Sequence, residues 1–421
     1  MAKLVYDNTG RLLFTKEMKR EYTLLMPQML PVTFTMVKKV FELYGCKIDL
    51  LTTMHRGIVE TGLKYVHNDT CYPALLVVGQ LLEAVNSGIY DKHKVGLLIT
   101  QTGGGCRASN YIHLLRKALE KAGMPYIPVV SINLSGLEPN PGFRISLPVI
   151  RRLAAGMIYG DLIVWLSNQC KPYEAVPGAS DALSAQWTDR LVAMFGNGRG
   201  LRKKEMRCCM EEIAADFAKI ELSGERNKPR VGIVGEFYVK YAPLGNNGLL
   251  QFLLDEGCEP VVPGLTDFMI FKINNRSVDV DLYHGNRFKK LVVDIFQRYI
   301  EGLQRGMIEA VKTQPTFRPM GTFSDLQQLI QGYLGYGNKM GEGWLLTAEM
   351  LELIKTGTNN IVCTQPFGCL PNHVVGKGMI RRLKDDYPDS NIVAIDYDPG
   401  ATKINQENRI KLMIANAGRS R

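Results

Sequence analysis

The chain has 421 residues, 46% of them hydrophobic, 9% aromatic and 22% charged, with a formal net charge of +10. That length implies two sizeable domains rather than a single core, and the composition is globular, with no run of about 18 apolar residues to cross a bilayer. The opening Met1-Ala2-Lys3-Leu4-Val5-Tyr6-Asp7 lacks the apolar stretch of a secretory signal, so the cytoplasm is expected.

The positive charge is spread through mixed-sign segments such as Arg381-Arg382-Leu383-Lys384-Asp385-Asp386. Only Arg199 to Lys204 forms a dense basic run, and no aromatics interleave it. Nucleic acid is therefore not the expected partner, whereas acidic or phosphorylated small molecules such as coenzyme A suit the charge.

The predicted elements alternate. Thr23 to Met29 reads as a strand, Phe34 to Leu43 as a helix and Lys47 to Leu51 as a strand. A helix from Ala74 to Asn86 precedes the strand Val95 to Ile99, a helix from about Ala108 to Lys121 and the strand Tyr126 to Ile132. Strands alternating with long helices mean βαβ units and a parallel sheet. A helix at Leu147 to Tyr159 follows, and the helices Ala182 to Phe195 and Glu205 to Ile220 form a connector. A second α/β unit runs through the strands Val231 to Phe237 and Glu259 to Val262, with helices at Leu249 to Glu256, Phe288 to Glu309 and Glu342 to Lys355. The apolar run Asn360 to Val362 reads as a strand leading into the turn that holds Cys363 and Cys369, and the unit closes on the strand Asn391 to Tyr397 and the helix Thr402 to Ala415. The expected organisation is an N-terminal α/β domain over 1–165, a helical connector over 166–230 and a C-terminal α/β domain over 231–421.

Nine cysteines in such a chain argue for metal ligation or buried thiols rather than a disulfide framework. Cys71, Cys106, Cys363 and Cys369 are each expected just before a helix start, where free N–H groups and a partial positive charge favour thiolates and bound anions. An iron–sulfur cluster on thiolates is such an anion. The four are dispersed along the chain rather than paired in the tight knuckles usual for structural zinc, which favours a cluster assembled between domains, with soft sulfur ligands suiting iron–sulfur as well as zinc. Cys46, Cys170 and Cys258 read as small buried hydrophobes, and the adjacent Cys208 and Cys209 point apart on a helix. The glycine turn Gly103-Gly104-Gly105 has no Walker pattern after it, so it reads as close backbone approach to a bulky group. His67 and His373, nearest to candidate thiols, and Arg107, next to Cys106, are the candidates for proton donation, charge balance or phosphate binding. Glu236 reads as the end of a buried strand.

The strings Asn68-Asp-Thr-Cys71-Tyr-Pro-Ala74, Gln101-Thr-Gly-Gly-Gly-Cys106-Arg-Ala108, Ser131-Ile-Asn-Leu-Ser-Gly-Leu137, Tyr159-Gly-Asp-Leu162, Gly341-Glu-Gly-Trp-Leu-Leu346 and Gln365-Pro-Phe-Gly-Cys-Leu-Pro-Asn-His373 resemble the carboxy-terminal region of large 2-hydroxyacyl-CoA dehydratase activase-related proteins. That group is similar to 2-hydroxyacyl-CoA dehydratases, benzoyl-CoA reductases and double-cubane cluster proteins, and the resemblance spans about Phe14 to Ala415. It implies two flavodoxin-like (Rossmann-like) parallel-sheet domains with an oxygen-sensitive [4Fe–4S] or double-cubane cluster in the cleft between them, held by Cys71, Cys106, Cys363 and Cys369. It also implies electron transfer in anaerobic metabolism: an ATP-dependent activator (ASKHA-type ATPase) supplies a low-potential electron for reduction of an acyl-CoA or similar substrate. No activator-type ATPase domain is identifiable in this chain, so a partner chain or another part of a longer protein would carry it. A homodimer is compatible with this reading, and neither membrane nor nucleic acid is an expected partner. The alternatives are a non-catalytic iron–sulfur electron-transfer subunit, or a zinc-bound or metal-free structural homologue. If fewer than four thiolates are true ligands, the open position points to an enzyme.

Overall fold

Strands buried on both faces need near-continuous apolar runs, and eight strands, the inner ones buried in this way, form two sheets in the computed structural model, which describes residues 2–67, 69–101, 104–132, 138–224 and 226–417. The first sheet contains β1 (Thr23–Pro27), β2 (Lys47–Leu51), β3 (Val95–Thr100) and β4 (Val129–Ile132) in the order β2-β1-β3-β4. The second contains β5 (Arg230–Gly235), β6 (Glu259–Val261), β7 (Asn360–Pro366) and β8 (Asn391–Tyr397) in the order β6-β5-β7-β8. Every pairing is parallel, and helices flank both sheets. The fold is therefore α/β with two flavodoxin-like sheets of identical strand order. In such a sheet the order reverses beside the first strand, and ligands collect beyond the carboxyl ends there. These points lie past β1/β3 and past β5/β7.

The Leu147–Cys170 helix joins the halves. It is buried along most of its length and packs on the Pro31–Leu43 helix of the first unit and on β6 of the second. It continues past Tyr159, so the expected boundary at 165 falls inside a continuous helix. Its Asp161, buried, accepts hydrogen bonds from the backbone N–H groups of Leu265 (3.0 Å) and Thr266 (2.6 Å), which fixes the start of the Leu265–Tyr283 helix. Among the described residues no helix is long and apolar enough to cross a membrane.

The Tyr72–Asn86 helix is apolar nearly all round and buried to match. The Arg56–Tyr65 helix crosses it at two glycines: a Cβ on Gly79 would stand 2.0 Å from the Ile58 carbonyl oxygen, and one on Gly62 2.3 Å from that of Leu75. Gly79→Ala is therefore expected to destabilise the fold by about 1–3 kcal/mol, the usual cost of forcing atoms into a packed contact. A lower denaturant midpoint at unchanged slope would record it. An unaltered midpoint would show that the two helices can separate freely.

Thr102, Gly103, Asn68 and the Asn133 to Leu137 part of the quoted strings lie outside the described residues.

Candidate metal centre

Three of the four predicted thiols stand at the positions expected of them. Cys71 is the residue before the Tyr72–Asn86 helix, Cys106 the residue before a short 3₁₀ turn (Arg107–Asn110) that follows β3, and Cys369 the residue before the Leu370–Val375 helix that follows β7. Pro73 and Pro371 sit in first turns, where their missing N–H costs nothing. The backbone N–H groups of Ala74, Ala108 and Asn372 act on the respective sulfurs and favour the thiolate. One device thus recurs at all three.

These segments come from both units and meet. A Cβ on Gly368, next to Cys369, would lie 3.7 Å from Cys71 Cα, and Met340 of the second unit sits against Gly105. Burial chiefly raises the pKa of both Cys71 and Cys369, and the Cys106 sulfur adds a little to each rise. Tyr111, on the helix that follows Cys106, places its hydroxyl 2.9 Å from Cys71 Sγ.

Cys363 is placed differently. The strand expected to end at Val362 continues to Pro366, so Cys363 lies mid-strand, in register with Val234 on one side and Ala394 on the other. Its thiol is fully buried, and burial pushes it up to about 12, with Asp396, Glu349 and Glu342 adding to the rise. The strand was hard to see because Thr364 and Gln365, polar by type, are both 0% exposed.

Two carboxyl groups lie near these thiols, and the sequence did not mark either as part of the site. Glu236 follows β5 and accepts from the Val239 N–H (2.9 Å), while Glu342 accepts from the Phe237 N–H (2.9 Å). Both are held above the usual carboxylate range, by burial first; for Glu236 the neighbouring Glu342 adds to the rise. Their charges also push Cys106 and Cys369 up, behind the larger effect of burial, and Glu236 acts on Cys71 as well. Lys272 is the cation of the group: burial lowers its pKa, Glu342 and Cys106 oppose that, and its ammonium donates to the Gly341 carbonyl. Glu342, expected inside a helix, lies just before the Trp344–Lys355 helix, where its side chain is free to reach Phe237.

The remaining candidates are peripheral. His67 is exposed and pairs with Asp69 at 3.3 Å. His373 Nδ1 is 2.8 Å from the Cys369 carbonyl oxygen, so it braces the turn. Exposed Arg107 donates to the Asp69 carbonyl (2.6 Å) and ties the Cys71 loop to the Cys106 loop.

The donor set suits a soft, positively charged core. Three thiols and two carboxyl groups press one another toward their protonated forms, and a cation relieves all five together. Around the Cys369 turn, both side-chain polar atoms of Gln365 and of Asn372, and the Tyr238 hydroxyl, are buried without a partner. Such groups ordinarily have one. Among the described residues no three His, Cys, Asp or Glu side chains are grouped tightly enough for a single metal ion; thiolates on separate irons of one cluster stand farther apart.

No protein-family model matches the chain, and no curated protein is significantly similar to it.

Proposed function

We propose that the protein is a cytoplasmic iron–sulfur protein of the 2-hydroxyacyl-CoA dehydratase type, and that Cys71, Cys106 and Cys369 hold its cluster. The observation that carries this reading is the meeting of three helix-start thiol segments, two from the first unit and one from the second, beside Glu236 and Glu342. Cys363 is left out of the ligand set. When bound, an iron–sulfur cluster supplies an electron at low potential, and three thiolates leave room for a further ligand, which favours an enzyme over a closed relay.

The chain's own residues have definable work in this reading. Lys272 offsets negative charge beside Cys106, and Tyr111 orients Cys71. Phe367, Leu370 and Val374, exposed around the Cys369 turn, offer an apolar rim on which an ATPase activator docks as electron donor. The net positive charge attracts the phosphates of an acyl-CoA substrate.

Anaerobically prepared protein is expected to contain iron and acid-labile sulfide and, once reduced, to give an electron paramagnetic resonance signal that shifts on adding an acyl-CoA. A colourless preparation with stoichiometric zinc would overturn the cluster. A signal unmoved by any acyl-CoA would instead favour the electron-transfer subunit.

A further inference from the structure

The Leu265–Tyr283 and Arg287–Lys312 helices form a hairpin that is inside out in its outer half. Where the two helices face each other the contacts are polar: Ser277 Oγ donates to Asp294 (2.5 Å), Asn274 Nδ2 to Gln297 Oε1 (3.2 Å), and Lys290 pairs with Asp281. Away from that seam the first half of Arg287–Lys312 carries Phe288, Leu291, Val292, Ile295, Phe296 and Tyr299, exposed by 36% at Phe296 to 72% at Phe288. Leu282 and Tyr283 extend the patch around the hairpin turn, where His284 adopts a left-handed conformation (φ 56°). An amphipathic helix ordinarily turns its apolar stripe inward. The second half of the same helix does so, burying Ile300, Leu303, Met307 and Val311.

The exposed stripe reads the same in both directions. Its successive members are three, one, three, one and three residues apart. A two-fold axis passing between Val293 and Asp294 therefore sets Phe288 opposite Tyr299 of a second copy, Leu291 opposite Phe296, and Val292 opposite Ile295. A self-complementary patch is what a two-fold dimer requires, and an amphipathic stripe with this ordinary helical spacing can supply one. The area also fits. Large side chains exposed to these extents offer on the order of 100 Å² each, so the eight together supply roughly 800 Å² per copy, the contribution of one partner to a standard stable interface.

We propose that the protein is a homodimer joined by antiparallel pairing of the outer halves of its two Arg287–Lys312 helices. The proposal is independent of the metal centre and goes beyond it.

Light scattering coupled to size exclusion is expected to give a mass near twice the 47.1 kDa of one chain. Ile295→Glu and Val292→Lys, both at exposed positions and so compatible with folding, are each expected to give a single chain with unchanged circular dichroism. Mixed in equal amounts, the two variants are expected to recover the doubled mass, because the axis brings the introduced lysine and glutamate together across the interface. A wild-type protein of one-chain mass, whether or not it binds phospholipid vesicles, would overturn the proposal. So would variants that stay dimeric, or monomeric variants that do not re-pair on mixing.

Discussion

Cys106→Ala, prepared anaerobically, is expected to lose most of its bound iron and sulfide, whereas Cys363→Ala is expected to keep them. The contrast tests the ligand set rather than the mere presence of metal. Cys106 follows β3 of the first unit and its charge acts on both Cys71 and Cys369, so its loss removes one of the three proposed thiolates. Cys71→Ala and Cys369→Ala should behave alike. Cys363 lies inside β7 with 0% exposure, and replacing it deletes about one heavy atom from a packed interior, at a cost of about 1 kcal/mol. Tyr111→Phe keeps all three sulfurs but removes the hydroxyl 2.9 Å from Cys71, and should weaken iron retention by roughly 10-fold, as loss of a ligand's hydrogen-bond partner commonly does. Iron and sulfide assays on the four cysteine variants decide the matter. Full iron content in Cys106→Ala would remove the proposed site, and its loss in Cys363→Ala would restore the four-thiol set.

Lys240→Met is expected to lower the unfolding free energy by about 3–5 kcal/mol, the cost of leaving a buried charge without its partner. Lys240 and Glu349 are each 4% exposed at the side chain, and Nζ donates to both carboxylate oxygens, at 2.8 and 2.9 Å. Burial raises the Glu349 pKa from its ordinary 4.5, and Lys240 opposes that rise. A carboxyl whose folded pKa lies above its unfolded one contributes stability below the unfolded value and loses it as pH climbs through the folded value. Without Lys240 that folded value climbs further, so the penalty should be smallest near pH 4.5 and grow toward and beyond neutrality. The double variant Lys240→Met/Glu349→Leu should recover most of the loss, since a well-packed apolar pair can replace a buried ion pair at little cost. Denaturant titrations at acid and neutral pH measure both effects. A single variant as stable as the parent would show that water reaches Glu349.

Both sheets could be read from the sequence because their strands are apolar runs with turn residues on either side. β2 and β8 match the predicted Lys47 to Leu51 and Asn391 to Tyr397. Of the helices that escaped notice, two did so for opposite reasons. Arg56–Tyr65 buries only Ile58 and Gly62, too little for a periodic signal. Leu265–Tyr283 buries Asn274, Asn275 and Ser277 beside Ile270 and Phe271, so its inner face is not apolar. Of the candidate site, Cys71 and Cys369 were visible because a cysteine just ahead of a first-turn proline is a local pattern, and Cys106 because it sits between a glycine turn and a helical run. The carboxylates were not, because the meeting of Glu236 and Glu342 depends on how β5 and the Trp344–Lys355 helix pack. No local pattern records that.

The dispersal of the three sulfurs has a bearing on biosynthesis. Cys71 and Cys106 leave the ribosome long before Cys369, with the Leu147–Cys170 helix and both connector helices translated in between. A nascent chain therefore lacks the third proposed donor until the segment after β7 has been translated. If these sulfurs hold a cluster as proposed, it cannot be completed before Cys369 is made, and a proteolytic nick in the middle helices is expected to divide its donors between two fragments.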